Sequence, residues 1–367
     1  MRRCWLPVLI GLGILLSGCK NNESLQSVLT QQVASNAESY GINASSVVVV
    51  KNGKQLYKGH HGVMAVNSTE KVSDTSIFPI YSVAKLFAST LTMQLAEQGK
   101  LQLSDPISQH LVGLPSAWQH ITISQLLNHA SGLPEFYDVK DGKFIGPATL
   151  QEVIDDNKSK PLMFEPNTQT QYNQTGYLLV RMLIEKMYQQ SYEQSVKDKI
   201  LSPLGLKNTF LNLNNVPKER LVAAYRPNSG KTLKTSEFFF PLYGSSAGSI
   251  YSSAEDMSLF ITALAQGKLV SQDKLLAFWQ PHQLHDDESY FASGWVIDNA
   301  GNWQHVGHDG GASLRVRLLY QDNLDEFFVV VYLTNGNKDG VWSSTLANSV
   351  QQHILPDYYS RIATWFY

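Results

Sequence analysis

Cysteine is almost missing from this chain. Only Cys4 and Cys19 occur in 367 residues. Past residue 19 there can be no disulfide, no thiol nucleophile and no cysteine-held metal. Charge is sparse as well, at 16% of residues with a net charge of −2. No basic block stands out, which excludes nucleic acid as a partner. Long apolar runs are absent apart from Trp5 to Leu16, which is too short for a comfortable membrane span. What is present is a globular composition, 43% hydrophobic. The chain is long enough to bury a full core without staples.

The first residues combine the positive start Arg2-Arg3, the short apolar run and the small residues Ser17-Gly18 before Cys19. That order reads as a secretion signal. Leu16-Ser17-Gly18-Cys19 resembles a bacterial lipoprotein signal. The resemblance implies cleavage after residue 18, a lipid on Cys19 and a chain anchored to the membrane rather than spanning it. Lys20, where an aspartate would favour inner-membrane retention, points to the outer membrane or periplasm. Residues 19–37 are polar and weakly periodic, and read as a tether.

Ser46 to Val50 and Gln55 to Gly59 flank Asn52-Gly53, a strong hairpin signal. A helical run begins at Ser82 and stops near Gly99, with apolar residues around most of its circumference. Helix signals then dominate to about residue 265. Strand signals return at Gly294 to Ile297, Ala312 to Tyr320 and Phe327 to Leu333, before a last helix from about Val341 to Leu355. The fold class read from this order is α/β (α+β). An antiparallel sheet from both chain ends is flanked by helices and carries a mostly helical insert. The expected boundaries are 38–355 for the domain, 38–90 and 266–355 for the α/β lobe, 91–265 for the helical lobe and 356–367 for a tail.

Ser82 and Lys85 stand three apart at the start of an apolar helix, so they share a face. Backbone N–H groups at a helix start favour an anion such as an alkoxide or oxyanion. A lysine in apolar surroundings loses its charge more readily and can take the serine's proton. A capping serine and a snorkelling lysine would give the same spacing.

Further stretches lie in order along the chain: Leu126 to Pro134 ("LLNHASGLP"), Tyr172-Asn173-Gln174, Pro203-Leu204-Gly205-Leu206, Ser252 to Asp256 and His308-Asp309-Gly310-Gly311. With Tyr81 to Lys85 they resemble the class C β-lactamase-like serine hydrolases. That family has the penicillin-recognising fold and includes class C β-lactamases, D-alanyl-D-alanine carboxypeptidases, D-aminopeptidases and esterases. The resemblance covers residues from about 40 to 340. It implies Ser82 as nucleophile, Lys85 as its proton acceptor and Tyr172 as a second acid/base, with a tyrosinate favoured by the neighbouring cation. It sets His308 where the family has the lysine or histidine of its third motif, and the Ser82 and Gly311 N–H groups as oxyanion hole. Asn173, Gln174 and Gly310 are the implied substrate contacts. No metal or organic cofactor is implied.

Two departures bear on substrate. Gln174 replaces the asparagine of Tyr-x-Asn. His308 is often uncharged at neutral pH, so a fixed cation for a penicillin or D-Ala-D-Ala carboxylate is missing. Both favour an esterase or D-amino-acid peptidase over an efficient β-lactamase. The expected partners are a small-molecule or peptide ester or amide and, through Cys19, a membrane; the chain is expected to be a monomer. The competing reading is a non-catalytic envelope lipoprotein that keeps the fold and holds cell-wall peptide. If the strand holding His308 runs on without a bulge into Leu314 to Leu318, His308 faces the core and Asp309 shares the other face with Arg315 and Arg317. His305 then points away from His308, which argues against a metal pair. The His282 to Asp287 cluster reads as solvated surface, His129 as a residue securing a loop, and Tyr243, Tyr290 and Trp295 as possible cleft residues.

Overall fold

The computed structural model describes residues 24–140, 143–228, 232–235 and 241–355. The signal, Cys19 and the 356–367 tail lie outside the described residues.

The first helix, α1 (Leu25–Tyr40), is capped by Ser24 and ends at Gly41, whose φ of 65° closes the last turn. The hairpin strands β1 (Ala44–Lys51) and β2 (Lys54–Gly62) follow. Asn52 and Gly53 both take positive φ between them, as a two-residue turn requires. The helix α2 (Lys85–Glu97) comes next, and the helix α3 (Thr175–Tyr188) packs against it. The helix α4 (Ala254–Ala265) leads into five strands. These are β3 (Phe291–Ala292), β4 (Trp295–Ala300), β5 (Trp303–Gly310), β6 (Leu314–Tyr320) and β7 (Phe327–Thr334), and the helix α5 (Ser343–Ile354) closes the described chain.

The seven strands form one sheet in the order β3-β4-β5-β6-β7-β1-β2, antiparallel throughout. Segments from both chain ends pair inside it, Ser45 with Thr334 and Val48 with Val331. One face packs Val47, Val49, Val330 and Tyr332 against Leu29 and Val33 of α1 and Leu346 and Val350 of α5. The other packs Val48, Val316, Val329 and Val331 with the apolar residues of α2 and α4. Burial on both faces explains why Val47 to Val50 is a continuous apolar run rather than an alternating one. The expected α/β class with a two-ended antiparallel sheet is the observed one.

Two expected boundaries move. The stretch read as tether to residue 37 is helical from Leu25, because Leu29, Val33 and Ala37 recur at helical spacing and are buried on the sheet. The helical lobe does not run to residue 265, since α4 lies on β7 and β1 through the face bearing Phe260, Ile261 and Leu264. Phe260 stacks on Phe87 of α2, with ring centroids 4.5 Å apart.

Candidate active site

Ser82 does not begin the α-helix. It lies in a 3-10 turn, Tyr81–Ala84, that feeds α2 at Lys85. Tyr81 before it is held at φ 48°, a conformation that costs on the order of 1–3 kcal/mol. Lys85 is fully buried. Its Nζ donates to the Gln174 Oε1 at 2.6 Å and to the Ala247 carbonyl at 2.8 Å. It also lies 4.8 Å from the centre of the Tyr172 ring and 5.1 Å from that of Tyr177. Removal from water lowers its pKa from 10.5 to about 7, against a weaker upward pull from Glu135.

That value changes the hydrogen-bond count. A neutral amine has two N–H donors and one lone pair. Both donors have acceptors in Gln174 and Ala247, so the lone pair is what Lys85 has left to offer. Ser82, one helical turn earlier, carries the proton it could take.

Ser82 and Gln174 lie beside Tyr172 and pull its pKa down. The residue is 38% exposed overall, yet desolvation at the site is the largest influence on its pKa and drives it well above 10. Tyr172 is therefore a neutral phenol. The expected tyrosinate is corrected here: the loss of solvent outweighs the neighbouring lysine, which is itself half neutral near pH 7.

His308 reaches the site by a route the sequence concealed. The strand stops at Gly310, and Gly311–Ser313 form a turn with Ala312 and Ser313 at φ 58° and 56°. Antiparallel pairing restores the expected parity, since His308 sits opposite Val316 on the α2 side and Asp309 opposite Arg315. Asp309 pairs with Arg317 at 3.0 Å and Arg315 at 3.2 Å. The His308 Nδ1 lies 2.6 Å from the Asp309 carbonyl. A carbonyl only accepts, so Nδ1 carries the proton and Nε2 presents a bare lone pair. Burial, then the nearby Lys85, lower its pKa to about 3. His308 is neutral at any physiological pH.

Gly310 and Gly311 sit where backbone must come close. A Cβ on Gly310 would lie 2.6 Å from the Ile80 carbonyl and 2.5 Å from the Leu314 Cδ1, and one on Gly311 would lie 3.0 Å from the Tyr81 ring. Gly310→Ala is expected to push β5 away from the Ser82 turn. Thermal unfolding should show a loss of about 1–3 kcal/mol, and acylation of Ser82 should slow about tenfold or more as its geometry loosens.

Gln174 and Asn173 are less available than expected. Both are buried. Gln174 uses its carbonyl to hold Lys85. The Asn173 amide is consumed within the fold, its Oδ1 accepting from the Gly176 N–H at 2.9 Å and its Nδ2 donating to the Leu133 carbonyl at 3.0 Å. Asn173 as a substrate contact is corrected to a cap for α3. His129 secures more than a loop. Its Nδ1 accepts the Asn173 N–H at 3.1 Å, and its ring lies 4.4 Å from Tyr172 and 4.6 Å from Phe291. His282 is not a solvated surface residue, because it bridges Ser124 and Asn167. Of the three possible cleft aromatics, Trp295 is core, Tyr243 donates to the Pro147 carbonyl, and Tyr290 is exposed.

Two contributors escaped the sequence reading. Ala247 offers only a backbone oxygen, and its one signal is the small-residue run Gly244 to Ser249, which lets backbone approach closely. That run is tied down by Ser245, which accepts from Arg181 and donates to Glu193, both at 2.7 Å. Glu135 follows Gly132-Leu133-Pro134 and is the one charge in an apolar stretch.

Comparison with known proteins agrees with this geometry. The β-lactamase family model matches residues 25–348. Penicillin-binding protein 4* of Bacillus subtilis is 28% identical over 84% of this chain and 72% of its own length. In three dimensions the chain is similar to the D-amino acid amidase of Ochrobactrum anthropi SV3, solved with D-phenylalanine. The TM-score is 0.73 at 22% identity, over 91% of this chain and 98% of the amidase. A class C β-lactamase variant superposes with TM-score 0.72 at 18% identity, over 89% and 97%. A Ser-x-x-Lys turn, a tyrosine beside it and a histidine strand end thus sit on the serine β-lactamase/DD-peptidase fold, and the chain belongs to the β-lactamase family.

Proposed function

We propose that this protein is a serine hydrolase that forms an acyl-enzyme on Ser82 from an ester or amide lacking a penicillin-type carboxylate. The observation that carries this reading is Lys85, a buried amine with both N–H groups engaged and a pKa of about 7.

The Ser82 Oγ attacks the carbonyl carbon while its proton moves to the Lys85 Nζ. The oxygen that gains charge is received by the Ser82 and Gly311 N–H groups. When the tetrahedral adduct collapses, the Tyr172 phenol gives its proton to the leaving group and regains one from the Lys85 ammonium. Water then attacks the ester on Ser82, with Lys85 and Tyr172 shuttling its proton back to the Oγ. The neutral His308, with Nε2 as acceptor, suits a substrate that brings a donor rather than a carboxylate to that wall. The amidase neighbour was solved with D-phenylalanine, so D-amino-acid amides join short acyl esters as test substrates.

Competition between two probes tests the reading. A fluorophosphonate should label the soluble domain rapidly, and a fluorescent penicillin at least about tenfold more slowly. Absence of labelling by both would overturn the serine mechanism, and fast penicillin labelling would overturn the substrate class.

Tyr172→Phe keeps the ring against His129 and Lys85 and removes only the hydroxyl. Its kcat on a reactive ester is expected to fall about 10²–10³-fold with KM little changed. Steady-state kinetics would show this, and an unchanged kcat would remove Tyr172 from the proton path.

A further inference from the structure

Glu135 has no place in the steps above, yet it hydrogen-bonds the backbone of Gln174, one of the two groups that hold Lys85. Its side chain is half buried on the segment after Pro134. Oε2 accepts the Gln174 N–H at 3.0 Å, and Oε1 accepts the Phe136 N–H at 3.1 Å. The Thr175 hydroxyl lies 3.5 Å from Oε1 and makes its shorter bond to the Pro134 carbonyl, at 2.7 Å. Gln174 precedes α3 and brings no capping side chain of its own. Glu135 supplies an acceptor there from outside the helix, and a carboxylate at a helix N-terminus is favoured by the dipole. Gln174 is also the residue whose Oε1 holds the Lys85 amine.

We propose that Glu135 is a positioning residue for Lys85: its carboxylate anchors the Gln174–Thr175 turn that grips the amine, and its charge sets the pH range in which the site acts. This rests on the reading of Lys85 as the base.

The neighbours of Lys85 leave Glu135 alone in that role. Tyr172 and Tyr177, from the α3 side, are phenols held neutral by burial. His129 and the β5 residue His308 are neutral imidazoles, their pKa values lowered by burial and by Lys85. Glu193, on the short helix packed against α2, gives its charge to Arg181 at 2.7 Å. Asp309 points to the other face of the sheet with Arg315 and Arg317. Among the described residues, Glu135 is the one charged side chain that acts on Lys85. Burial raises the pKa of Glu135 itself, opposed by the N–H groups of Gln174 and Phe136.

Glu135→Gln tests this, because it keeps an acceptor for the Gln174 N–H and removes the charge. The rate of fluorophosphonate labelling is followed against pH. In the unaltered protein the acid limb should lie near pH 7. In Glu135→Gln it should move down by about one pH unit, and the alkaline plateau should fall about threefold because the base is weaker. Glu135→Asp should restore much of both. A limb displaced by less than about 0.3 unit would overturn the electrostatic role, whatever happened to stability.

If the unaltered protein is not labelled at all, the serine reading fails separately and Lys85 is read another way. The unfolding free energy is compared with that of Lys85→Met across pH 6 to 11, with and without Glu135→Gln. The pH at which the two curves begin to converge marks the titration of Lys85 in the fold. A convergence point that does not move with Glu135→Gln overturns the proposal.

Discussion

Ser82→Ala is expected to abolish fluorophosphonate labelling and to lower hydrolysis of a reactive ester by at least about 10⁴-fold. No other group at the site can replace the lost Oγ. Lys85 is engaged by Gln174 and Ala247, and its remaining lone pair takes protons rather than acyl groups. Tyr172 is a neutral phenol with a pKa pushed above its ordinary value. Removal of a nucleophile that acts with its base as a unit forfeits nearly all of their joint contribution. Stability should change by no more than about 1 kcal/mol, the scale of one hydrogen bond. Intact-mass analysis after probe treatment measures the first effect and thermal unfolding the second. An adduct of unchanged yield on Ser82→Ala would move the nucleophile elsewhere.

Lys85→Met carries the second large effect, and it has two signatures. The rate of acylation should fall about 10²–10⁴-fold, the range of a lost general base. Where the unaltered protein loses activity as pH falls through about 7, the variant should show no such limb. The other signature is in stability. The folded pKa of Lys85 is about 7 and the unfolded one 10.5. Between these values the unfolded chain binds more protons, so unfolding free energy rises with pH across the window. Below about pH 7 the penalty of the buried lysine is present in full. Above about pH 10.5 it is gone. The difference between the parent and Lys85→Met should change by roughly 5 kcal/mol over that range. Denaturant unfolding at several pH values checks it. Parallel curves would mean that Lys85 keeps its charge in the fold.

The sequence carried the parts whose signal is local. Asn52-Gly53 marked its hairpin because only a few residues tolerate two positive φ values in a row. The Ser82–Lys85 spacing put both on one helix face, and the order of motifs named the family. What escaped depends on distant segments meeting. Ala247 contributes a carbonyl, which any residue could, so its letter holds no clue. Glu135 reads as an ordinary surface acid until the turn at Gln174 is set against it. A sequence shows the lysine that favours a Tyr172 tyrosinate and hides the burial that opposes it. His308 keeps the expected face although a turn, not a continuous strand, joins it to Leu314, because antiparallel pairing conserves side-chain parity across that turn. The tether was overextended because Leu29, Val33 and Ala37 are too few to mark a helix before the sheet beneath them is known.

The pairing of β1 with β7 also sets a schedule. Ser45 must wait for Thr334, and Val48 for Val331, before the first hairpin joins the rest of the sheet. His308 and Gly311 leave the ribosome more than half the chain after Ser82 and Lys85. A nascent chain therefore carries Ser82 and Lys85 long before His308 and Gly311 can join them. Such non-local closure folds slowly. On the mechanism proposed above, reactivity would arrive late, once the two ends of the protein have met.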